Sequence, residues 1–410
     1  MASQLRSVDE HLDRILGAIT PQRPYGHPLA EALGLPLCED VTSAVELPGF
    51  DNSAMDGYAV RAADLAGTSE DAPVSLPVVG ESAAGQTKAY ALAGGTALRI
   101  MTGAPMPSGA DAVVPLEWTN RGVAEVQVGR EPKPGQHVRW AGEDIRVGDH
   151  LLDEGTVLGP RQLGLLAAVG RSQVQARPRP RVVVLSTGSE LRDPGTELGF
   201  DSVYDSNSYM LAAAVRAAGA ISYRVGPVVD DPDVFSEAIS DQLVRADAVV
   251  TSGGVSKGEY DVVKEVLGKL GTVEFCEVAM QPGKPQGFGT VGEDATPIFT
   301  LPGNPVSSYV SFEVFVRPAL RRMMGLAPYT RPLTPARCIG GFTSTPGKRQ
   351  FLRGVLSGEP GQEEVRLVGG TGSHLVASLA RANCLVAVPE DVTDVHGGET
   401  VEVLALDRDH

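Results

Sequence analysis

From Val249 the chain reads VVTSGGVSKGEYDVV: an apolar run, a Gly- and Ser-rich stretch, then Glu259 and Asp261. Glycine lets a bound group come close to the main chain. Exposed backbone N–H groups attract anions, whereas the two carboxylates repel them. A loop with both features suits a phosphate held together with a divalent cation. Four other polar turns also follow apolar runs: Ser186-Thr187-Gly188-Ser189-Glu190, Asp230-Asp231-Pro232, Gln281-Pro282-Gly283-Lys284-Pro285 and Pro302-Gly303-Asn304-Pro305. Asp231 before Pro232 reads as a helix N-cap, as does Asp205 before Ser206. Asn304 before Pro305 fits a cap or a ligand contact equally well. Glu190, Asp230 and Asp261 remain as carboxylates for chemistry, with Lys284 as a cation for an anion.

The elements that would position these groups are legible. RVVVLSTG, ISYRVGPVVDD, DAVVTSGG, TVEFCEVAM and PIFTLPG read as strands. They alternate with helical stretches such as NSYMLAAAVRAAGA and PDVFSEAISDQLVRA, and NPVSSYVSFEVFVRPALRRMMG reads as a long helix. This pattern predicts a doubly wound, mostly parallel sheet over residues 178–327. Ligands bind outside the carboxyl ends of such strands, so the five polar turns would share one rim. Ahead of it, Ser7–Glu10 reads as a capping box opening a helix. Residues 1–44 plus 141–177 form an N-terminal and bridging part, in which Leu163, Leu165, Leu166 and Val169 mark a short helix. Residues 45–140 read as a β-rich insert, with strand-like pieces PVSLPVVGES, TALRIMTG, DAVVPLEW and VAEVQVGR. Residues 328–410 alternate without a strong helix and close the chain as a small β domain.

Bulk properties narrow the class. The 410 residues carry a formal charge of −16, which argues against binding nucleic acid or anionic lipid through the overall field. Cys38, Cys276, Cys338 and Cys384 form no CxxC pair, so reduced thiols in a cytoplasmic protein are expected rather than a zinc site. The first residues lack the apolar stretch of a signal peptide, and no run is long enough to span a membrane. GVSKGEY lacks the ending of a P-loop, and GKPQGFG is not a dinucleotide fingerprint.

Five longer motifs add an identity to this chemistry. PGFDNSAMDGYAV, RIMTGAPMP, STGSEL, TSGGVSKGEYD and PGKP, with the later FLRG and TGSH, resemble the molybdopterin molybdenumtransferase family, which includes bacterial MoeA and the E domain of gephyrin. The likeness runs from about residue 5 to 405. It implies an enzyme of molybdenum cofactor biosynthesis. Such an enzyme takes adenylylated molybdopterin (molybdopterin-AMP) and molybdate, uses Mg²⁺, releases AMP and inserts the metal. It further implies a small C-terminal β-barrel and a homodimer whose composite site borrows the β-rich insert of the second subunit. The adenylyltransferase of the same pathway is an implied partner.

Motif by motif, the resemblance assigns chemistry to Asp56, Thr102, Glu190, Asp230 and Asp261, with Glu190, Asp230 and Asp261 on the metal. Pterin phosphate binding falls to Ser186, Thr187, Gly188, Ser252, Gly253, Gly254, Ser256, Lys284, Pro302, Gly303 and Asn304. Arg353 of FLRG and Ser373 of TGSH complete the set. Some relatives have lysine at the positions of Glu277 and Gln281, and Lys257 stands where an apolar residue is common. Two other readings stay open: a pterin-binding scaffold without turnover, and molybdopterin adenylylation.

Overall fold

The computed structural model describes residues 5–85, 90–254 and 262–407. The chain divides into two compact units. One comprises Met1–Tyr25, Gly34–Pro36 and Ala176–His410; the other comprises Gly26–Leu33 and Leu37–Gln175. The first helix, α1 (Val8–Ala18), opens with the capping box: Glu10 N–H donates to Ser7 Oγ at 3.1 Å, and Ser7 N–H donates to the Glu10 carboxylate at 2.9 Å. Val8, His11 and Ile15 share its buried face, as helical spacing requires.

In the smaller unit, β1 (Gly57–Val60), β2 (Val74–Ser82), β3 (Ala97–Ile100), β4 (Ala112–Pro115) and β5 (Glu125–Val128) form a five-stranded sheet in the order β4-β1-β3-β2-β5. The last four lie within the strand-like pieces of the sequence. Tyr58, Leu65, Leu76, Val114 and Val126 fill its core. Helix α2 (Pro160–Ala168) buries Leu166 beside Leu37 and Val41.

In the larger unit the central sheet has six strands. In chain order the elements are β6 (Arg181–Ser186), α3 (Asn207–Ala217), β7 (Ile221–Arg224), α4 (Pro232–Leu243), β8 (Ala248–Ser252), α5 (Val262–Leu270), β9 (Glu274–Glu277), β10 (Pro285–Val291) and β11 (Thr296–Leu301). Their order across the sheet is β7-β6-β8-β11-β10-β9. Val182 and Val184 of β6 face a core shared with α1 and α3, while Val183 and Leu185 face one shared with α4 and α5. Helices therefore cover both faces, which is why β6 reads as a continuous apolar run.

The sheet is mixed: five of its six strands point one way, and β10 runs against them. β7, β6, β8 and β11 run parallel, but β10 pairs antiparallel with both β11 and β9. The sequence PQGFGTV hides β10 because its glycines read as turn. They are close-approach positions instead: a Cβ at Gly287 would lie 2.8 Å from the Phe275 ring, and one at Gly289 would lie 2.5 Å from Thr272 O.

After β11 the chain runs through α6 (Pro305–Ser311), a π turn at Phe312–Val316 and α7 (Arg317–Met324). Pro318, which has no N–H to give, falls next to that π turn. Then β12 (Leu333–Cys338), β13 (Arg349–Ser357), β14 (Glu364–Leu367), α8 (Val376–Arg381), β15 (Cys384–Val388) and β16 (Thr400–Ala405) follow. The strands lie in the order β13-β14-β12-β16-β15, and β13 pairs again with β15, so a five-stranded barrel closes with no free edge. The four cysteines are free thiols, Cys338 and Cys384 buried. No described helix is long and apolar enough to cross a membrane.

One buried group makes this unit acid-sensitive. His11 packs edge-on against Phe315 at 4.8 Å, with Arg6 and Cys276 at its Nδ1. Burial first, then the Arg6 charge, pushes its pKa from 6.5 down to about 4. Between those values the folded state binds fewer protons than the unfolded state, so stability falls as pH drops through that window and levels off below it. The full loss is about 3 kcal/mol. Denaturant unfolding measured from pH 7 to pH 4 should show that slope, and His11→Gln should flatten it. An equal slope in the variant would place the titrating group elsewhere.

Candidate functional site

Register sets the site. Ser186 of β6 lies beside Ser252 of β8, and Ser252 beside Leu301 of β11. The three strands end level, and their loops open on one cleft of about 850 Å³. Eleven of the expected residues line it: Ser186, Thr187, Gly188, Glu190, Asp230, Ser252, Gly253, Gly254, Pro302, Gly303 and Asn304. Ser256 and Asp261, with Lys257 and Glu259, lie outside the described residues.

The carboxylates sort as their sequence context suggests. Asp231 accepts from Asp233 N–H and Val234 N–H, each at 3.0 Å, and is the N-cap of α4. Asp205 is buried and accepts from Ser208 N–H at 3.0 Å and from the Ser208 hydroxyl, so it serves the start of α3. Asp230 and Glu190 are the exposed pair on the cleft. Thr187 bridges to Val228, and Gly188 N–H donates to Val228 O at 3.0 Å, which brings Asp230 to Ser189. There Ser189 N–H donates to the Asp230 carboxylate and Asp230 N–H donates to Ser189 Oγ, both at 3.2 Å. Two carboxylates on one polar cleft offer the hard oxygen donors that Mg²⁺ takes.

Among the described residues, the one group of three His, Cys, Asp or Glu side chains close enough to hold a metal ion together is Asp40, His150 and Asp153 in the smaller unit. There Asp153 already pairs with His150 at 2.8 Å, and Asp40 accepts from Glu154 N–H at 2.9 Å.

Gly253 holds two of the cleft loops together. Its φ is +105°, and a Cβ there would lie 2.6 Å from Thr187 O and 2.7 Å from Thr187 Oγ1. The glycine that seemed placed for a ligand is thus first needed for loop-to-loop packing. Asn304 occupies the N-cap position of α6 but makes no side-chain cap bond, so its amide is available to the cleft. Asn207 is a residue that sequence patterns did not flag. Its Nδ2 donates to Ser252 Oγ at 2.8 Å and to Gly303 O at 2.6 Å, tying the β8 and β11 loops. Standing at the head of a helix in YDSNSYM, it reads only as capping chemistry.

Three expected residues of the larger unit lie off the cleft. Lys284 is paired with Glu277 at 3.0 Å and does not line it, although Pro285 does. Arg353 is buried in β13 and donates to Gly372 O at 2.9 Å and to Gly370 O. It borders a separate cavity of about 250 Å³ shared with Gln281 and Thr371. Ser373 O accepts from Val306 N–H at 3.0 Å. The loop fastened by Arg353 thereby meets α6, and its His374, also unflagged, lines the main cleft.

The structure brings Asp56 and Thr102 together in the smaller unit. Asp56 Oδ1 accepts from Thr102 N–H at 2.7 Å and from Thr102 Oγ1 at 2.8 Å. The backbone bond first, then the hydroxyl, holds this exposed carboxyl below its ordinary pKa.

Comparison with known proteins matches this arrangement along the whole chain. The MoeA N-terminal region (domain I and II) matches residues 6–170, the "Probable molybdopterin binding domain" residues 183–322, and the MoeA C-terminal region (domain IV) residues 335–406. Molybdopterin molybdenumtransferase 2 of Mycobacterium tuberculosis is 47% identical over 408 residues, covering 98% of this chain and 100% of the relative. This chain belongs to the molybdopterin molybdenumtransferase family. Molybdopterin molybdenumtransferase 1 of the same organism is 43% identical, over 98% of this chain and 99% of its own. The crystal structure of the molybdopterin biosynthesis MoeA protein from Pyrococcus horikoshii covers 99% of this chain and 100% of its own at a TM-score of 0.81 and 33% identity.

For this member of the molybdenumtransferase family, the Gly253 contact yields a direct test. Gly253→Ala should lower unfolding free energy by about 1–3 kcal/mol, because the left-handed backbone and the Thr187 contact are both violated. Denaturant titration measures it. A loss under about 0.5 kcal/mol, the range of ordinary surface changes, would mean that the two loops are not fixed by this approach.

Proposed function

We propose that the protein is a molybdopterin molybdenumtransferase that inserts molybdate into adenylylated molybdopterin, in a Mg²⁺-dependent step that releases AMP. The observation that carries this reading is the placement of Glu190 and Asp230 on the same cleft as the Ser252–Gly254 and Pro302–Asn304 loops. When bound, Mg²⁺ supplies charge neutralisation at the pyrophosphate. Glu190 and Asp230 would hold it, with Asp261 as a further candidate. Ser189 keeps the Asp230 carboxylate in place by the reciprocal hydrogen bonds. The Ser186 and Thr187 hydroxyls and the loop backbone would orient the pterin phosphate, so positioning and charge do the work and no covalent nucleophile is needed.

Molybdate is a compact oxyanion. The cavity bordered by Gln281 and Arg353 suits it, because Arg353 brings a cationic side chain to its wall. Arg353 would then carry the charge that lysines near Gln281 and Glu277 supply in some relatives, since Lys284 is committed to Glu277. Asp56 and Thr102 of a second copy would complete the site in a homodimer.

AMP release from adenylylated molybdopterin, with Mg²⁺ and molybdate present, tests the reading. Release should require molybdate and fall by roughly a hundredfold in Glu190→Ala and Asp230→Ala. ATP consumption, or tight pterin binding with no AMP released, would overturn it in favour of adenylylation or scaffolding respectively.

A further inference from the structure

The described wall of the 850 Å³ cleft is short of positive charge. It carries the carboxyls of Glu190, Asp205 and Asp230 and no lysine or arginine; among its described residues, His374 alone can become a cation. His374 is exposed on that wall, within reach of a ligand in the cleft. Its main-chain oxygen accepts from Val376 N–H at 2.9 Å, and its imidazole has no hydrogen-bond or ion-pair partner among the described residues. The loop beneath it is nevertheless fixed. Arg353 donates to Gly370 O and, at 2.9 Å, to Gly372 O, and Val306 N–H donates to Ser373 O at 3.0 Å, which ties the loop to β13 and to α6. A Cβ on Gly372 would lie 3.0 Å from His374 Cε1, so the ring sits close over that glycine. A side chain carried on a fixed loop has less freedom to lose when it binds.

Position along the rim gives the ring a task. Helix α6 starts directly after Asn304, so His374 stands at the β11 side of the cleft. The sheet order β7-β6-β8-β11 puts Asp230 and Glu190 at the other side, with the β8 loop between. A cation held by those carboxylates neutralises an anionic ligand at that side only. We propose that His374 donates an imidazole N–H to a phosphate oxygen of the bound substrate and is the protein's own positive contact at the β11 side. The inference rests on the proposed function for the identity of that substrate. A hydrogen bond from imidazolium to phosphate is roughly twice as strong as one between neutral groups. Molybdate, also an oxyanion, goes instead to the cavity beside Arg353. In the TGSH motif, then, Ser373 fastens the loop through its main chain and the next residue meets the ligand.

Calorimetric binding to the full chain, with Mg²⁺ present, tests this with four probes: pyrophosphate, AMP, adenosine and molybdate. His374→Ala should weaken pyrophosphate and AMP by about tenfold and leave adenosine and molybdate within about twofold. His374→Lys, which keeps a charged donor, should recover most of that loss. His374→Gln, which keeps an uncharged donor, should recover only part of it. A general distortion of the cleft would weaken adenosine as well and would not be relieved by lysine. Unchanged phosphate binding in His374→Ala, equal loss of adenosine, or a loss confined to molybdate overturns the inference. If the wild type binds neither pyrophosphate, AMP nor adenylylated molybdopterin, the proposed function fails with it. Wild-type binding that the alanine variant retains in full leaves that function standing and sinks this inference alone.

Discussion

The hydrogen-bonded register of β6, β8 and β11 is the constraint on which the rest of the site depends. It places Ser186, Ser252 and Leu301 at one level, so three loops leave the sheet together. A slip of one residue would exchange Val182 and Val184 with Val183 and Leu185 between two different cores. It would also move one loop by about 3.3 Å relative to the others. Two close contacts then convert aligned strand ends into a shaped cleft: Gly253 against Thr187, and Asn207 against Ser252 and Gly303.

Much of this was legible because burial writes itself into sequence. Strands covered on both faces appear as unbroken apolar runs, and Pro232 and Ser206 marked Asp231 and Asp205 as capping groups. The failures have equally local causes. Gly287 and Gly289 lack side chains because Phe275 and Thr272 occupy the space, so β10 looked like turn and the one reversed strand of the sheet went unseen. The same pattern left Lys284 reading as a free rim cation, whereas Glu277, on the neighbouring strand, holds it. Asn207 escaped notice because an amide at a helix start has an ordinary explanation in one dimension. Its real partners are 45 and 96 residues away.

Asp56 and Thr102 show where composition stops and geometry begins. Two polar loops of common residue types carry no physical signal of their own, and only resemblance singled them out. Their hydrogen bonds supply the missing reason: one carboxylate oxygen receives both a backbone and a side-chain donor across 46 residues. Arg353 makes a similar point. Its motif suggests ligand binding, yet two of its nitrogens hold the carbonyls of the loop that delivers His374 to the cleft.

The acidity of the chain has a consequence for encounter rather than for binding. A molecule of formal charge −16, with Glu190 and Asp230 exposed on its cleft, repels an anionic substrate before any contact forms. Dissolved salt shortens the reach of that repulsion to about 8 Å at physiological ionic strength. Capture should therefore quicken as salt is added, the reverse of electrostatically steered association. A cation already seated between the carboxylates lowers the same barrier at its last few ångströms.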